Sequence, residues 1–116
     1  MKKNKLFLLA LTICVSQFNF KALAQLNFTT ASKVSVSSQP FSVAKADFNA
    51  DGKTDLVTAN SGNGTVSVLL GNGNGTFAAA ASSTVGTQPE CVAVADFNND
   101  GKPDIITADF IAHTVS

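Results

Sequence analysis

The nine residues DFNADGKTD at positions 47–55 return as DFNNDGKPD at positions 96–104, 49 residues later. Each copy carries an oxygen-bearing side chain at loop positions one, three, five and nine, and a glycine at position six. This spacing is that of a short loop that wraps around a hard cation, and Ca²⁺ is the cation it favours. The fixed period predicts that each loop belongs to a repeated structural unit.

Both loops offer the same set of oxygen ligands. Positions one, three, five and nine supply side-chain oxygens, and position seven supplies its backbone carbonyl. Glycine at position six permits the positive φ that turns the backbone around an ion. We therefore predict two Ca²⁺ ions, one per loop, with the ligands Asp47, Asn49, Asp51, Lys53 and Asp55, and Asp96, Asn98, Asp100, Lys102 and Asp104.

The loops have two alternative interpretations. A single copy could be an ordinary solvated Asp/Asn/Gly turn, but two copies that both retain every oxygen ligand favour metal binding. An EF-hand needs flanking helices and a bidentate acid at position twelve. Position twelve is Thr58 in one loop and Thr107 in the other, and the residues after both loops predict strands. The loops therefore do not fit an EF-hand.

The repeat extends well beyond the loops. A shift of 49 residues aligns residues 28–67 with residues 77–116, and half of the aligned pairs are identical. Within one unit, the short apolar and β-branched runs 43–48, 56–59 and 65–70 predict strands. The Asn-Gly pair at 63–64 and the glycine-rich run 71–75 predict hairpin turns, with further strand sequence after the second turn. Four short strands in a unit of this length are typical of a β-propeller blade.

These residues resemble the FG-GAP/VCBS-type repeat of bacterial secreted proteins and of integrin α-chain propellers. The resemblance is carried by VAKADFNADGKTD at 43–55 and TVSVLLGNGNGTF at 65–77. It implies an all-β fold of propeller blades, each a four-stranded antiparallel sheet, with Ca²⁺ in the turn between two adjacent strands. We expect an incomplete ring of about two repeats: residues 25–39 as the closing strand of a preceding unit, 40–88 as the first repeat, and 89–116 as a truncated second repeat.

The first 24 residues predict a signal peptide. A basic start at residues 1–5 precedes the apolar run 6–15, and Ala22-Leu23-Ala24 supplies the small residues that signal peptidase requires. We expect cleavage between Ala24 and Gln25, and a secreted, periplasmic or cell-surface location. The alternative is a structural N-terminal helix.

The part of the chain after the predicted signal peptide carries a net negative charge. Residues 25–116 hold four lysines, no arginine and eight acidic residues, so their net charge is −4. A surface of this charge disfavours nucleic acid and anionic lipid, and we predict neither nucleic-acid binding nor stable membrane insertion after cleavage. Cys91 is the one cysteine of this part and is predicted to be a buried, inert thiol.

No catalytic set can be assembled from these residues, since the one histidine, His113, falls at a turn position and the paired acids lie inside the loops. The sequence thus predicts a non-enzymatic, exported, calcium-binding segment that serves as a structural, adhesion or ligand-recognition module. The expected partner is an extracellular protein or polysaccharide, and self-association or further blades would complete the ring. The alternative is an N-terminal fragment of a larger secreted hydrolase or lyase, whose repeats form a substrate-binding appendage.

Overall fold

The computed structural model describes residues 32–116, and all regular structure in this part is β. The predicted signal peptide and residues 25–31 of the predicted closing strand lie outside the described residues. Residues 32–39 belong to no strand, and no helix in the described part is long and apolar enough to cross a membrane. The strands are β1 (Pro40–Ala46), β2 (Asp55–Asn60), β3 (Thr65–Leu69), β4 (Ala81–Thr84), β5 (Pro89–Ala95), β6 (Asp104–Asp109) and β7 (Thr114–Val115).

The first four strands form one antiparallel sheet in the order β1-β2-β3-β4, and we call this sheet the first blade. Alternation along β2 places Val57 and Ala59 on one face, where both are completely buried. The glycine-rich turn after β3 is closed by a bridge between Gly71 and Phe77. The fourth strand begins only at Ala81, because Phe77 returns beside Gly71 as a single bridge and the intervening residues form no ladder.

Strands β5-β6-β7 form a second antiparallel sheet, the second blade, which repeats the first in detail. Val43 faces Thr58 in the first blade, and Val92 faces Thr107 in the second. The register shift at Pro40/Ser42 returns at Pro89/Cys91. The predicted all-β class, with antiparallel sheets of four and three strands, is confirmed and is that of incomplete propeller blades.

The core lies where the two blades pack face to face. Val57, Ala59 and Val66 of the first blade and Val92 of the second form its buried cluster. The hydroxyl of Ser42 accepts a hydrogen bond from the Val92 backbone N–H at 3.3 Å, which links β1 of the first blade to β5 of the second. Apolar burial between blades, which is the main favourable term of folding, thus holds the repeats together.

Cys91 does not follow the prediction of a buried thiol, because it is exposed. Its equivalent in the first blade, Ser42, is half-buried because β5 packs beside it. No strand of the described residues covers the corresponding side of β5, so the same strand position remains open.

A buried polar network repeats at the end of the second strand of each blade. Asn60 is fully buried; its amide accepts from Thr58 and donates to Thr65 and Ser67. The equivalent residue of the second blade is Asp109, which is 2% exposed and accepts from three hydroxyl groups. The three donors are Thr107, Thr114 and Ser116. A hydroxyl can donate or accept, so one arrangement of neighbours serves an amide in one blade and a carboxylate in the other.

The exchange of Asp109 for asparagine should therefore be tolerated. We expect Asp109→Asn to change the free energy of unfolding by less than about 1 kcal/mol, because the amide retains an acceptor and no longer buries a carboxylate. Asp109→Ala should cost about 1–3 kcal/mol, because three hydroxyls lose their shared acceptor. Chemical denaturation followed by far-UV circular dichroism measures both, and equal losses for the two variants would contradict this account.

Candidate metal centre

The two acidic loops occupy the same place in each blade, between β1 and β2 and between β5 and β6. In the first loop, the backbone N–H of Asp51 donates to Asp47 Oδ1 and to Asn49 Oδ1, both at 3.1 Å. The N–H of Gly52 donates to Asp47 Oδ2 at 2.8 Å. Side-chain oxygens of positions one and three therefore accept from the same backbone N–H group, so the loop backbone wraps around its own polar side chains.

Asp51, at position five, is held by the residue at position seven. The N–H of Lys53 donates to Asp51 Oδ1 at 2.9 Å, and the Lys53 ammonium lies 3.2 Å from Oδ2. The backbone hydrogen bond from Lys53 lowers the pKa of Asp51, and the hydrogen bonds from the Asn49 and Lys53 side chains lower it further. The carboxylate is thus ionised at neutral pH, the form that binds a hard cation.

The second loop reproduces this arrangement. The N–H of Asp100 donates to Asp96 Oδ1 at 3.1 Å and to Asn98 Oδ1 at 2.9 Å. The N–H of Gly101 donates to Asp96 Oδ2 at 2.8 Å, and that of Lys102 donates to Asp100 Oδ1 at 2.9 Å. Two loops that differ at two of nine positions share these four backbone-to-side-chain hydrogen bonds, so these bonds are set by the residues that the loops have in common.

Backbone conformation explains why position six is glycine in both loops. Gly52 has a φ of +78° and Gly101 a φ of +82°, in the left-handed region that other residues rarely adopt. Position four also lies in this region, with a φ of 58° at Ala50 and 61° at Asn99. Asparagine tolerates this conformation, whereas alanine at position four lowers the free energy of unfolding by about 1–2 kcal/mol.

Asp55, at position nine, is placed differently from the other acids. It is completely buried; Oδ2 accepts from the Phe48 N–H at 2.8 Å, and Oδ1 accepts from the Gly71 N–H at 2.7 Å. A side chain at position 71 would collide with the carbonyl oxygen of Thr54, so glycine is required for this approach. In the second loop, Asp104 Oδ2 accepts from the Phe97 N–H at 3.1 Å.

The sequence indicated Asp55 only as a ligand and Gly71 only as part of a turn. The hydrogen bond between them spans 16 residues and depends on how β3 returns beside β2, which local sequence does not specify. The alternating glycines of residues 71–75 are the one signal in the sequence that the backbone passes close to another segment.

The structure brings positions one, three and five of each loop together and places position nine at the strand end. Within residues 32–116, no three acidic, histidine or cysteine side chains are grouped so as to hold a metal ion by themselves. The donor set nevertheless suits Ca²⁺, because it consists of oxygens and combines carboxylates with an asparagine amide and a backbone carbonyl. The ligand roles of all ten residues, including the Lys53 and Lys102 carbonyls, stay predictions.

The buried position of Asp55 predicts a role that does not depend on metal. In the presence of EDTA, we expect Asp55→Ala to lower the free energy of unfolding by about 3 kcal/mol or more, because one buried and one partly buried backbone N–H group lose their acceptor. Asp55→Asn should lower the free energy of unfolding by less, since the asparagine carbonyl oxygen retains one of the two hydrogen bonds.

Asp51→Ala is the matched control, since it removes a carboxylate from the exposed side of the same loop and should destabilise the fold far less than Asp55→Ala does. Urea denaturation of the three variants measures the difference. Equal losses for Asp55→Ala and Asp51→Ala would show that the Asp55 contacts contribute nothing particular.

The family comparison agrees with the repeated loop geometry. A family model described as FG-GAP-like repeat matches residues 47–107, just over half of the chain, and this segment includes both loops. Neither a curated protein nor a solved structure matches the chain.

Proposed function

The chain belongs to the FG-GAP-like repeat family, and from this premise we propose that it is an exported, calcium-binding repeat segment that presents a ligand-recognition surface. Membership of this family supports a structural or ligand-recognition repeat module. The proposed metal content is one Ca²⁺ per acidic loop, and the proposed partner is an extracellular protein or polysaccharide.

One observation carries the calcium proposal: the two loops hold their acidic side chains with the same hydrogen bonds, although they lie in separate blades. In each loop the residue at position one accepts from the N–H groups of positions five and six. The carboxylates at positions one and five are thus oriented before any ion arrives, which reduces the entropy lost on binding.

A bound Ca²⁺ would supply the positive charge that offsets repulsion among the loop carboxylates. The protein's own contribution is to connect each loop to two strands. Asp47 lies one residue after β1, and Asp55 is the first residue of β2. An ion held by residues from both ends of the loop would therefore restrain β1 against β2, so that binding free energy becomes folding free energy.

The recognition part of the proposal rests on the turns at the opposite ends of the second strands. The turn of the first blade, residues 61–64, is SGNG, whereas the equivalent turn of the second blade, residues 110–113, is FIAH. Phe110 is 62% exposed and Ile111 is 57% exposed. Exposed aromatic and aliphatic side chains in a turn offer a surface for a sugar ring or an apolar protein side chain.

Calcium titration tests the metal proposal. We expect two sites with dissociation constants on the order of 10⁻⁴–10⁻³ M, the range of extracellular modules. Free Ca²⁺ at ~100 times the dissociation constant should stabilise the fold by about 2.7 kcal/mol per site. Isothermal titration calorimetry and melting curves, each measured with Ca²⁺ and with EDTA, give stoichiometry and stabilisation.

Asp51→Asn and Asp100→Asn locate the ions without disrupting the loops, because asparagine retains the acceptor for the position-seven N–H. Each single variant should lose one site, and the double variant should lose both while it melts in EDTA as the unaltered protein does. Glu90→Gln, which removes an acidic group outside the loops, is the matched control and should retain two sites. Full Ca²⁺ uptake by the double variant would disprove the ligand prediction.

Export is tested by the N-terminus of the protein recovered from its source cells. We expect the mature chain to begin at Gln25, because signal peptidase requires the small residues Ala22 and Ala24 before the cut. Mass spectrometry of the N-terminal peptide identifies the start. An Ala24→Leu variant should retain residues 1–24, and a chain that retains them without this change would contradict the predicted export.

A further inference from the structure

The glycine-rich turn after β3 contains a side chain arranged to react with its own backbone. We propose that Asn74 is a self-modification site, at which the backbone nitrogen of Gly75 attacks the side-chain amide and converts it, with loss of ammonia, to aspartate and isoaspartate. The reactants are the chain itself and water. This inference goes beyond the calcium proposal and does not rest on it.

Three Asn-Gly pairs in the chain are candidates for this chemistry, at residues 63–64, 72–73 and 74–75. Glycine offers the least hindered backbone nitrogen, because it has no side chain. All three asparagines lie in turns between strands and are exposed. The dipeptide sequence is the same in each pair, so the hydrogen bonds around each asparagine decide which one reacts first.

The side chain of Asn74 is held against the backbone that attacks it. Its Oδ1 accepts from the backbone N–H of Thr76 at 3.1 Å. This hydrogen bond folds the side chain back over the intervening residue, so the side-chain carbonyl carbon lies beside the nitrogen of Gly75. A constraint that holds two reacting groups together raises the rate of an intramolecular reaction.

Two donors stabilise the charge that develops during the attack. Addition of a nitrogen to the side-chain carbonyl carbon turns Oδ1 of Asn74 into an oxyanion. Thr76 directs both its N–H, at 3.1 Å, and its hydroxyl, at 2.7 Å, to this oxygen. The hydroxyl is itself oriented, because it accepts from the amide of Asn72 at 2.9 Å. Donors placed at a developing oxyanion lower the barrier to acyl transfer.

The nitrogen of Gly75 is available for the attack. None of the backbone hydrogen bonds that connect the turns of residues 32–116 uses the Gly75 N–H. No other atom lies within 4 Å of the place where a side chain would begin at this position. The nucleophile therefore loses no hydrogen bond within the described part of the chain when it reacts.

The reaction is balanced with water as the one added reactant. Hydroxide removes the proton from the Gly75 nitrogen, which forms a bond to Cγ of Asn74. The bond from Cγ to Nδ2 breaks, and Nδ2 takes a proton from water and leaves as ammonia, so hydroxide is regenerated. The product is a cyclic succinimide. Water then adds to Cγ, which gives aspartate, or to the backbone carbonyl carbon, which gives isoaspartate.

The other two Asn-Gly pairs lack part of this arrangement. Asn72 uses its amide to donate to the Thr76 hydroxyl, and its Oδ1 accepts no hydrogen bond from residues 32–116. Oδ1 of Asn63 accepts from the Thr65 hydroxyl at 3.0 Å, but no backbone N–H of the described residues donates to it. We therefore expect Asn74 to convert fastest, Asn63 more slowly and Asn72 slowest.

The first acidic loop contains a similar turn that should not react. The N–H of Lys53 donates to Asp51 Oδ1 at 2.9 Å, and Asp51 is also followed by a glycine. The Gly52 N–H, however, already donates to Asp47 Oδ2 at 2.8 Å. An ionised carboxylate is also a poorer electrophile than an amide. The fold of the side chain over the next residue is thus not sufficient by itself.

The modification would add a negative charge beside the first acidic loop, because a side chain at position 73 would lie 3.2 Å from Cδ of Lys53. Isoaspartate would also lengthen the backbone inside the turn that the hydrogen bond from the Asn72 N–H to the Thr76 carbonyl closes at 3.0 Å. We therefore expect the isoaspartate form to lose this hydrogen bond.

The test follows the full chain during incubation at mildly alkaline pH. Peptide mapping by fragmentation mass spectrometry measures the converted fraction at each of the three asparagines, and isoaspartyl methyltransferase labels isoaspartate. In the folded protein, Asn74 should convert at least about tenfold faster than Asn72, a ratio that corresponds to one or two hydrogen bonds. Its rate should rise in proportion to hydroxide concentration. In urea, where the donors are lost, the three rates should be similar.

Variants at position 76 separate the hydroxyl from the rest of the turn. Thr76→Val removes the hydroxyl but retains the backbone N–H, and should slow conversion at Asn74 by about 5–30-fold. Thr76→Ser restores a hydroxyl and should retain the rate. Asn63, in the same samples, is the internal standard and should convert at an unchanged rate. Far-UV circular dichroism shows that each variant is folded.

Four results would overturn the proposal. The first is an unreactive Asn74 in folded protein over the time in which the protein in urea converts. The second is faster conversion at Asn63 or Asn72 than at Asn74 in the folded protein. The third is the same order of rates with and without urea, which would assign the preference to sequence alone. The fourth is a folded Thr76→Val variant that converts at Asn74 as fast as the unaltered protein.

Discussion

The rest of the first blade depends on the hydrogen bonds that the buried carboxylate of Asp55 accepts. Asp55 is the first residue of β2, yet it accepts from a backbone N–H beside the end of β1 and from another just after β3. Three chain segments therefore converge on one side chain at one end of the sheet. Because the buried Gly71 N–H and the partly buried Phe48 N–H would otherwise lack an acceptor, the carboxylate determines where the loop ends and where the turn after β3 must pass.

Much of this fold could be predicted from sequence, because the signals are local. The apolar alternation at 43–48, 56–59 and 65–70 corresponds to β1, β2 and β3 within a few residues, and the Asn-Gly pair lies between β2 and β3. The start of β4 was not predictable in the same way. Residues 78–84 are alanine, serine and threonine, a weak strand sequence, and β4 is defined by its pairing with β3.

The candidate site likewise has one part that local sequence predicts and another that depends on distant segments. The spacing of oxygen ligands is a property of nine consecutive residues, so the shared loop geometry follows from sequence. The burial of Asp55 and the exposure of Cys91 do not, because each is decided by segments far away in the chain. Asp55 is covered by the return of β3 beside β2, and Cys91 is open because none of the described strands packs on its side of β5. Burial is therefore the property that a repeated sequence predicts least well.

Equivalent residues of the two blades differ in burial even where their side chains are identical. Val43 and Val92 have the same side chain and the same strand neighbour, a threonine on the second strand of each blade, so their intrinsic preferences are equal. The difference in exposure can only come from what packs against each face. Val92 is buried because the first blade packs on its side of β5, in the cluster that Val57, Ala59 and Val66 form with it. Apolar burial of this kind, rather than side-chain type, therefore decides which of two equivalent residues becomes core, and it is what holds the second blade to the first.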